Sequence, residues 1–249
     1  FYGYANTNLG YLSAKDLYRI LIPYNDQLNY NEGYLKDNEF IIYNQGEIPE
    51  GVFNGKSKDV DWTLDLNNHT LTISGSGKML DYTEDNPAPW YEYRDYISDI
   101  VIGEDVTYLG KRAFYKCSYV QNIYFNSKTI SSMSYLNDTL YAVGRKSTGT
   151  KLIIGENVTK IPYTLTNPHF SIDTSAYITS IEFKGNKLTT IENYGLSSIY
   201  AEEIILPESV TSLGDGALGS NKALKVVKIP DSITTLNKDL LKNCDNLET

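Results

Sequence analysis

The sequence predicts a repeat solenoid, with short parallel strands laid side by side and joined by irregular or short-helical returns. Three observations predict it. The pattern apolar-x-x-apolar-x-apolar occurs six times, at Ile97/Ile100/Ile102, Val120/Ile123/Phe125, Gly149/Leu152/Ile154, Ile178/Ile181/Phe183, Ala201/Ile204/Leu206 and Leu224/Val227/Ile229, with first positions 23, 29, 29, 23 and 23 residues apart. Four or five residues after each comes an aliphatic-Ser/Thr-x-aliphatic step, from Val106-Thr107-Tyr108-Leu109 in the first copy to Ile233-Thr234-Thr235-Leu236 in the sixth. Finally, the stretch Ile97 to Val120 is written again at Leu224 to Leu247, with Cys117 and Cys244 in matching places.

Each element has a physical reading. The apolar-x-apolar triplet is a short strand whose alternate side chains point inward. The second aliphatic step turns the chain back, and a third apolar patch (Ala113-Phe114, Ala217-Leu218, Leu240-Leu241) closes the coil. One coil buries too little to offset the backbone entropy of ordering it, so coils must stack. Equivalent positions advance about 4.8 Å per coil, which puts the two sulfurs roughly 24 Å apart. A disulfide needs Cα atoms within about 7 Å, so the cysteines read as small buried residues at a coil corner.

Before the array, Val60 to Leu66 and Thr70 to Ile73 alternate around an Asn67-Asn68 turn and read as a hairpin that covers the exposed solenoid end. The run "NPAPWYEYRDY" suggests a short helix or turn placing Trp90 and Tyr91 over the first coil. Further upstream, Ser13 caps an expected helix in which Leu17, Ile20 and Leu21 share a face before Pro23. The division is 1–55, a partly helical segment readable as small domain, linker or second cap layer; 56–96, the hairpin cap; and 97–249, six coils. Leu247 falls 23 residues after Leu224, where a seventh coil would begin, so the array reads as truncated. A start on Phe1 and not Met likewise points to a processed or trimmed N-terminus.

The segments "VKIPDSITTL", "IILPESVTSLGDGAL" and "VTYLGKRAFYKCSYVQNIYF" resemble the BspA-like, Treponema-type leucine-rich repeat. The stretch from Trp62 through Ile102 is similar to the cap that often precedes such arrays in proteins of gut Firmicutes. The resemblance implies a right-handed α/β-type coil and a secreted or bacterial cell-surface setting. The second and third coils depart from it: each carries about six extra residues and lacks the Ala-Phe and Cys elements.

Composition narrows the partners. The net charge of −9 disfavours nucleic acid and acidic membrane surfaces, which need clustered Lys and Arg. Apolar runs such as Ile204-Ile205-Leu206 fall far short of the roughly 20 residues that span a bilayer, so membrane insertion is not expected. The 22 tyrosines suit either an ordinary extracellular surface and core or stiff amphipathic contacts at a binding face.

Catalytic chemistry is not in evidence in the sequence. His69 and His169, the two histidines, sit at a hairpin turn and in a loop of the third coil, and no metal-ligand, nucleophile or phosphate-loop motif occurs. Asp81, Glu84 and Asp85 lack the spacing of a calcium loop and read as a solvated turn. Asn68, Asn137 and Asn157 open glycosylation-type triplets of the kind chance supplies. No enzyme activity, catalytic or metal site, or cofactor is expected.

The outward side chains of the strands are then the candidate surface. They include Asn122, Tyr124, Asn126, Lys151, Ser180, Glu182, Lys184, Glu203 and Lys228, interleaved with the aliphatics Val101, Ile153, Ile205 and Val226. Mixed charges, amides and a tyrosine suit an extracellular protein or glycan. The long loops Tyr135 to Thr148 and Tyr163 to Tyr177 are a second candidate surface. The expected function is a secreted or surface recognition and adhesion module. The alternative is a non-catalytic spacer or targeting part of a larger secreted enzyme or cell-wall assembly.

Overall fold

The computed structural model describes residues 49–249 apart from 129, 131, 132, 134–137, 146, 167–175 and 249, together with residues 34, 35, 40 and 41. The expected helix at Ser13 to Leu21, His169 and Asn137 lie outside the described residues.

Strands β1 (Tyr34–Leu35) and β2 (Phe40–Ile41) form an antiparallel pair. Next come β3 (Val52–Ser57), β4 (Val60–Asp65) and β5 (Thr70–Gly75), with β4 antiparallel to β3 and β5 antiparallel to β4, then β6 (Gly77–Lys78) and a 3-10 helix over Tyr91–Tyr96. The first of these strands runs across the boundary expected at residue 56. The hairpin read from the alternation at Val60 to Ile73 is therefore the second half of a three-strand meander.

The repeats follow as β7 (Asp99–Ile102), β8 (Val106–Tyr108), β9 (Asn122–Phe125) and β10 (Thr150–Ile154). The later ones are β11 (Lys160–Ile161), β12 (Ile178–Phe183), β13 (Thr190–Ile191), β14 (Glu203–Ile205), β15 (Ser212–Leu213) and β16 (Val226–Lys228). Parallel pairing joins β12, β10, β9, β7 and β5, and β4 and β3 complete a seven-stranded sheet. The last two coils pair β14 with β16 in a ladder of their own. A backbone bond from Tyr200 N–H to the Ile178 carbonyl, 2.8 Å, links the fourth coil to the fifth.

Register explains why one interior forms. Leu64, Leu71, Ile100, Ile123, Leu152 and Ile181 stand opposite one another across successive strands, as do Ile204 and Val227. All eight belong to one apolar cluster, with Ile181 and Val227 at its margin. The expectation of a shared core running along the stack holds.

The second aliphatic step does more than turn the chain. It forms a second parallel ladder, in which Ile161, Ile191 and Leu213 are register partners and all buried. Among the described residues the returns are irregular turns and not short helices. They carry left-handed residues four apart, at Arg112 and Lys116, Tyr194 and Ser198, Gly216 and Ser220, and Asp239 and Asn243. Amides at alternate positions in one return bond to carbonyls in the next, as from Tyr194, Leu196 and Ser198 to Asp215, Ala217 and Gly219. At Gly216 a side chain would also run into the Tyr194 ring, so both its φ of 58° and its neighbour call for glycine.

The junction between the meander and the first coil is aromatic. Trp90 is buried, its indole N–H donates to the Ala113 carbonyl at 2.8 Å, and its ring stacks on Phe114 and meets Trp62 and Tyr82 edge-on. Cys117 and Cys244 are free thiols, the first buried and the second half-buried. His69 is structural: Nδ1 contacts the Tyr96 carbonyl, and its own carbonyl accepts the Ser98 and Asp99 amides.

Candidate functional site

Strand pairing arranges the outward side chains in two rows. One runs Val52, Asp65, Thr70, Asp99, Asn122, Lys151, Ser180; the other runs Asn54, Thr63, Thr72, Val101, Tyr124, Ile153, Glu182. Both cross all seven strands. The rows come from the pleat, which sends alternate residues to opposite faces.

Six of the predicted residues are brought together on this face. Asn122 donates to the Asp99 carboxylate at 2.7 Å. Next to it Tyr124 stands in register between Val101 and Ile153. Lys151 and Lys184 both pair with the Glu182 carboxylate, and these contacts, Lys151 first, hold Glu182 below the ordinary carboxylate range. Ser180 is exposed opposite Lys151, displaced by a bulge: Thr150 faces Ile178 and Lys151 faces Ser180, which leaves Thr179 as the extra residue.

The other predicted residues lie apart. Asn126 is one residue past its strand at a coil corner, where its side chain packs over Gly155 in the next coil. Glu203 faces Val226, and Lys228 faces Ile205, both on the separate two-stranded ladder. Lys228 pairs with Glu208 at 2.8 Å, which raises its pKa.

The aliphatics differ from expectation. Ile205 and Val226 are exposed, at 44% each, whereas Ile153 retains only 6% of its surface. The reason is position: Ile153 is flanked on both sides, by Tyr124 and Glu182, whereas Ile205 and Val226 belong to a two-stranded ladder and each has one cross-strand partner, Lys228 and Glu203. Of the two loops proposed as a second surface, residues 135–137 and 146 of the first and 167–175 of the second lie outside the described residues.

Sequence reasoning missed two things. Thr63, Thr70 and Thr72 extend the face onto the meander; their alternation was legible, but the parallel join of β5 to β7 was not. Asp81 and Glu84, read as a solvated turn, tie the loop before Trp90 to the first return. Asp81 accepts from the Tyr108 hydroxyl at 2.9 Å and the Lys111 amide at 2.7 Å, and Glu84 pairs with Arg112 at 3.1 Å.

The repeat itself decides the kinship. The family described as "BspA type Leucine rich repeat region" matches in six copies over residues 90–165 and 145–249. The chain belongs to that family. BspA-type repeats are in general surface and adhesion modules. No curated protein matches the chain.

Among solved structures, the chain is similar to three bacterial leucine-rich repeat proteins. One, from Eubacterium ventriosum, is 18% identical, with 79% of this chain and 77% of that one covered and a TM-score of 0.29. Another, from Bacteroides ovatus, is 20% identical over 76% of this chain, with a TM-score of 0.39; the match spans 44% of that protein. A third, described as a leucine rich cell surface protein from Faecalibacterium prausnitzii, is 13% identical, with 78% and 81% covered and a TM-score of 0.26. Among the described residues, no helix is long and apolar enough to cross a membrane. No group of three or more His, Cys, Asp or Glu among them is arranged to hold a metal ion.

Proposed function

We propose that this BspA-type chain is a secreted or cell-surface bacterial recognition module that binds an extracellular protein or glycan through the outward face of its sheet. The observation that supports this most is the pair of rows in register across adjacent strands, with Tyr124 between Val101 and Ile153 and amide, hydroxyl and charged groups around it. Such a strip offers a rigid aromatic contact and directional polar groups at fixed spacing, so little entropy is lost on binding. Membership of a surface and adhesion family supports the setting. In this reading the coils are right-handed, as parallel crossovers nearly always are, and the meander β3–β5 caps the first coil.

The test is binding of the whole chain to an array of matrix proteins and glycans. Saturable binding is expected, weakened at least tenfold by Tyr124→Ala or by Glu182→Lys. A blank array, or both variants binding as the parent does, defeats the reading.

One observation favours a second reading, that of a non-catalytic spacer. Asn122 with Asp99, and Lys151 and Lys184 with Glu182, already satisfy one another, which is what a merely solvated sheet would do. The blank array is its expected result.

A further inference from the structure

A cleft of about 240 Å³ lies between the loop leading to Trp90 and the first return, lined by none of the residues of the two rows. Tyr82, Pro87, Ala88 and Tyr91 line one side; Arg112, Tyr115 and Lys116 line the other, with Thr83 and Glu84 at the rim. We propose that this cleft binds the terminal acidic sugar of a glycan, with the sugar carboxylate on Arg112 and Lys116 and the ring against Tyr91. The proposal rests on the recognition reading above but names a different surface.

The walls are fixed before any ligand arrives. Tyr82 N–H bonds to the Lys111 carbonyl at 3.0 Å, and Lys111 N–H bonds to the Asp81 carboxylate. Tyr115 is clamped by stacking on Tyr141, with centroids 4.9 Å apart, and Arg94 lies over Tyr91 at 4.2 Å. Preorganisation of this kind lowers the cost of binding.

The charge pattern points to a carboxylate. Arg112 and Lys116 are the two left-handed residues of this return, φ 56° and 58°. The Arg112 guanidinium lies 3.8 Å from the Tyr115 ring centroid and the Lys116 ammonium 5.2 Å. Two cations face one lining carboxylate, Glu84, in a chain whose net charge is −9. The partners are unequal: the Arg112 side chain is 17% exposed and held on its ring, while Glu84 is 78% exposed. Glu84 therefore acts as a displaceable stand-in for an incoming carboxylate, which a guanidinium fork binds with two parallel bonds.

Size and wall chemistry choose a sugar over an acidic peptide. The volume lies below the roughly 300–1,000 Å³ of drug-sized sites and suits one small ring. Tyr91 presents an apolar face for sugar C–H groups and a hydroxyl for the sugar oxygens.

The test is titration of the whole chain with glucuronic acid and sialic acid, against glucose, acetate and a glutamate-rich tripeptide, followed by NMR shifts or calorimetry. The acidic sugars are expected to bind at least tenfold tighter than glucose, acetate or the tripeptide. Arg112→Gln should lose this binding tenfold or more, and the exposed Lys116→Gln should weaken it severalfold with the fold intact. Glu84→Gln should tighten it, a result that a purely structural pair does not give. Unchanged binding in both Arg112→Gln and Lys116→Gln overturns the site, as does an acetate or tripeptide affinity equal to that of the sugars. Tyr124→Ala should leave sugar binding untouched. No acidic-sugar binding by the parent chain, with its sheet-face binding intact, defeats this proposal alone, whereas failure of both in the parent defeats the recognition reading too.

Discussion

The Asn221 carboxamide oxygen accepts the Ile199 amide at 2.9 Å, joining the return of the fifth coil to the end of the fourth. The same side chain donates to the carbonyls of Leu196 and Leu218 at 3.0 Å each, and it is fully buried. Three backbone groups thus depend on one residue. Asn221→Ala leaves the Ile199 amide and the Leu196 carbonyl without this partner in a dry interior, and the Leu218 carbonyl with the Cys244 thiol alone, so a loss of about 2–4 kcal/mol is expected in urea unfolding. A loss below about 1 kcal/mol would mean that water enters and replaces the amide.

Trp90 ties the meander to the repeats through Ala113 and Phe114. Trp90→Ala is expected to cost about 3–5 kcal/mol, the usual range for an aromatic removed from a core. Trp90→Phe keeps much of the packing and should cost less, chiefly the indole bond. Equal losses in the two variants would place the stabilisation in that bond and not in the ring contacts.

Alkaline pH should act through Tyr108. Burial first, and then the Asp81 carboxylate its hydroxyl donates to, pushes this phenol up to about 12. A group raised in the folded state contributes stability that is complete below its ordinary value, about 10, and is lost as pH climbs through the folded value. Stability should therefore fall between pH 10 and about 12, and Tyr108→Phe should flatten the fall. Burial also raises Tyr82 and Tyr96, so the slope should not vanish. Denaturant midpoints across this range, with tyrosinate absorbance alongside, measure it. An unchanged slope in Tyr108→Phe refutes the assignment.

The two thiols should differ in reactivity. Burial pushes both up, and Cys117 is enclosed, whereas Cys244 is half-buried with its thiol donating to the Leu218 carbonyl at 3.3 Å. A thiolate is the reactive species. Mass spectrometry after native alkylation should find Cys244 slowly labelled and Cys117 untouched, with both labelled in denaturant. Equal native labelling would show that the first coil opens.

Much of the array was legible because its signal is periodic. Ile100, Ile123, Leu152 and Ile181 recur in one pattern, and only strands in register can put such a series into one interior. The bulge at Thr179 was not legible, since Gly149 and Ile178 fit the same template while their strands differ by one residue. Nor was Ile153's burial, which comes from its cross-strand neighbours and not from its own chain. Asn126 read as a strand residue because the alternation continues through it, yet the strand ends at Phe125. Asp81 and Glu84 looked solvated because their partners, Lys111 and Arg112, lie 30 and 28 residues away in sequence.

In the returns, amides of one coil reach forward to carbonyls of the next: Phe114 and Lys116, then Thr164, then Tyr194, Leu196 and Ser198, then Gly216, Leu218 and Ser220. Peptide dipoles aligned head to tail add, where those of ordinary strands largely cancel. This flank of the molecule therefore has an electrical polarity that no side chain creates, with its positive pole toward the sixth coil. A charged partner approaching along the long axis meets a different field at each end, and substitutions on the surface leave that asymmetry in place.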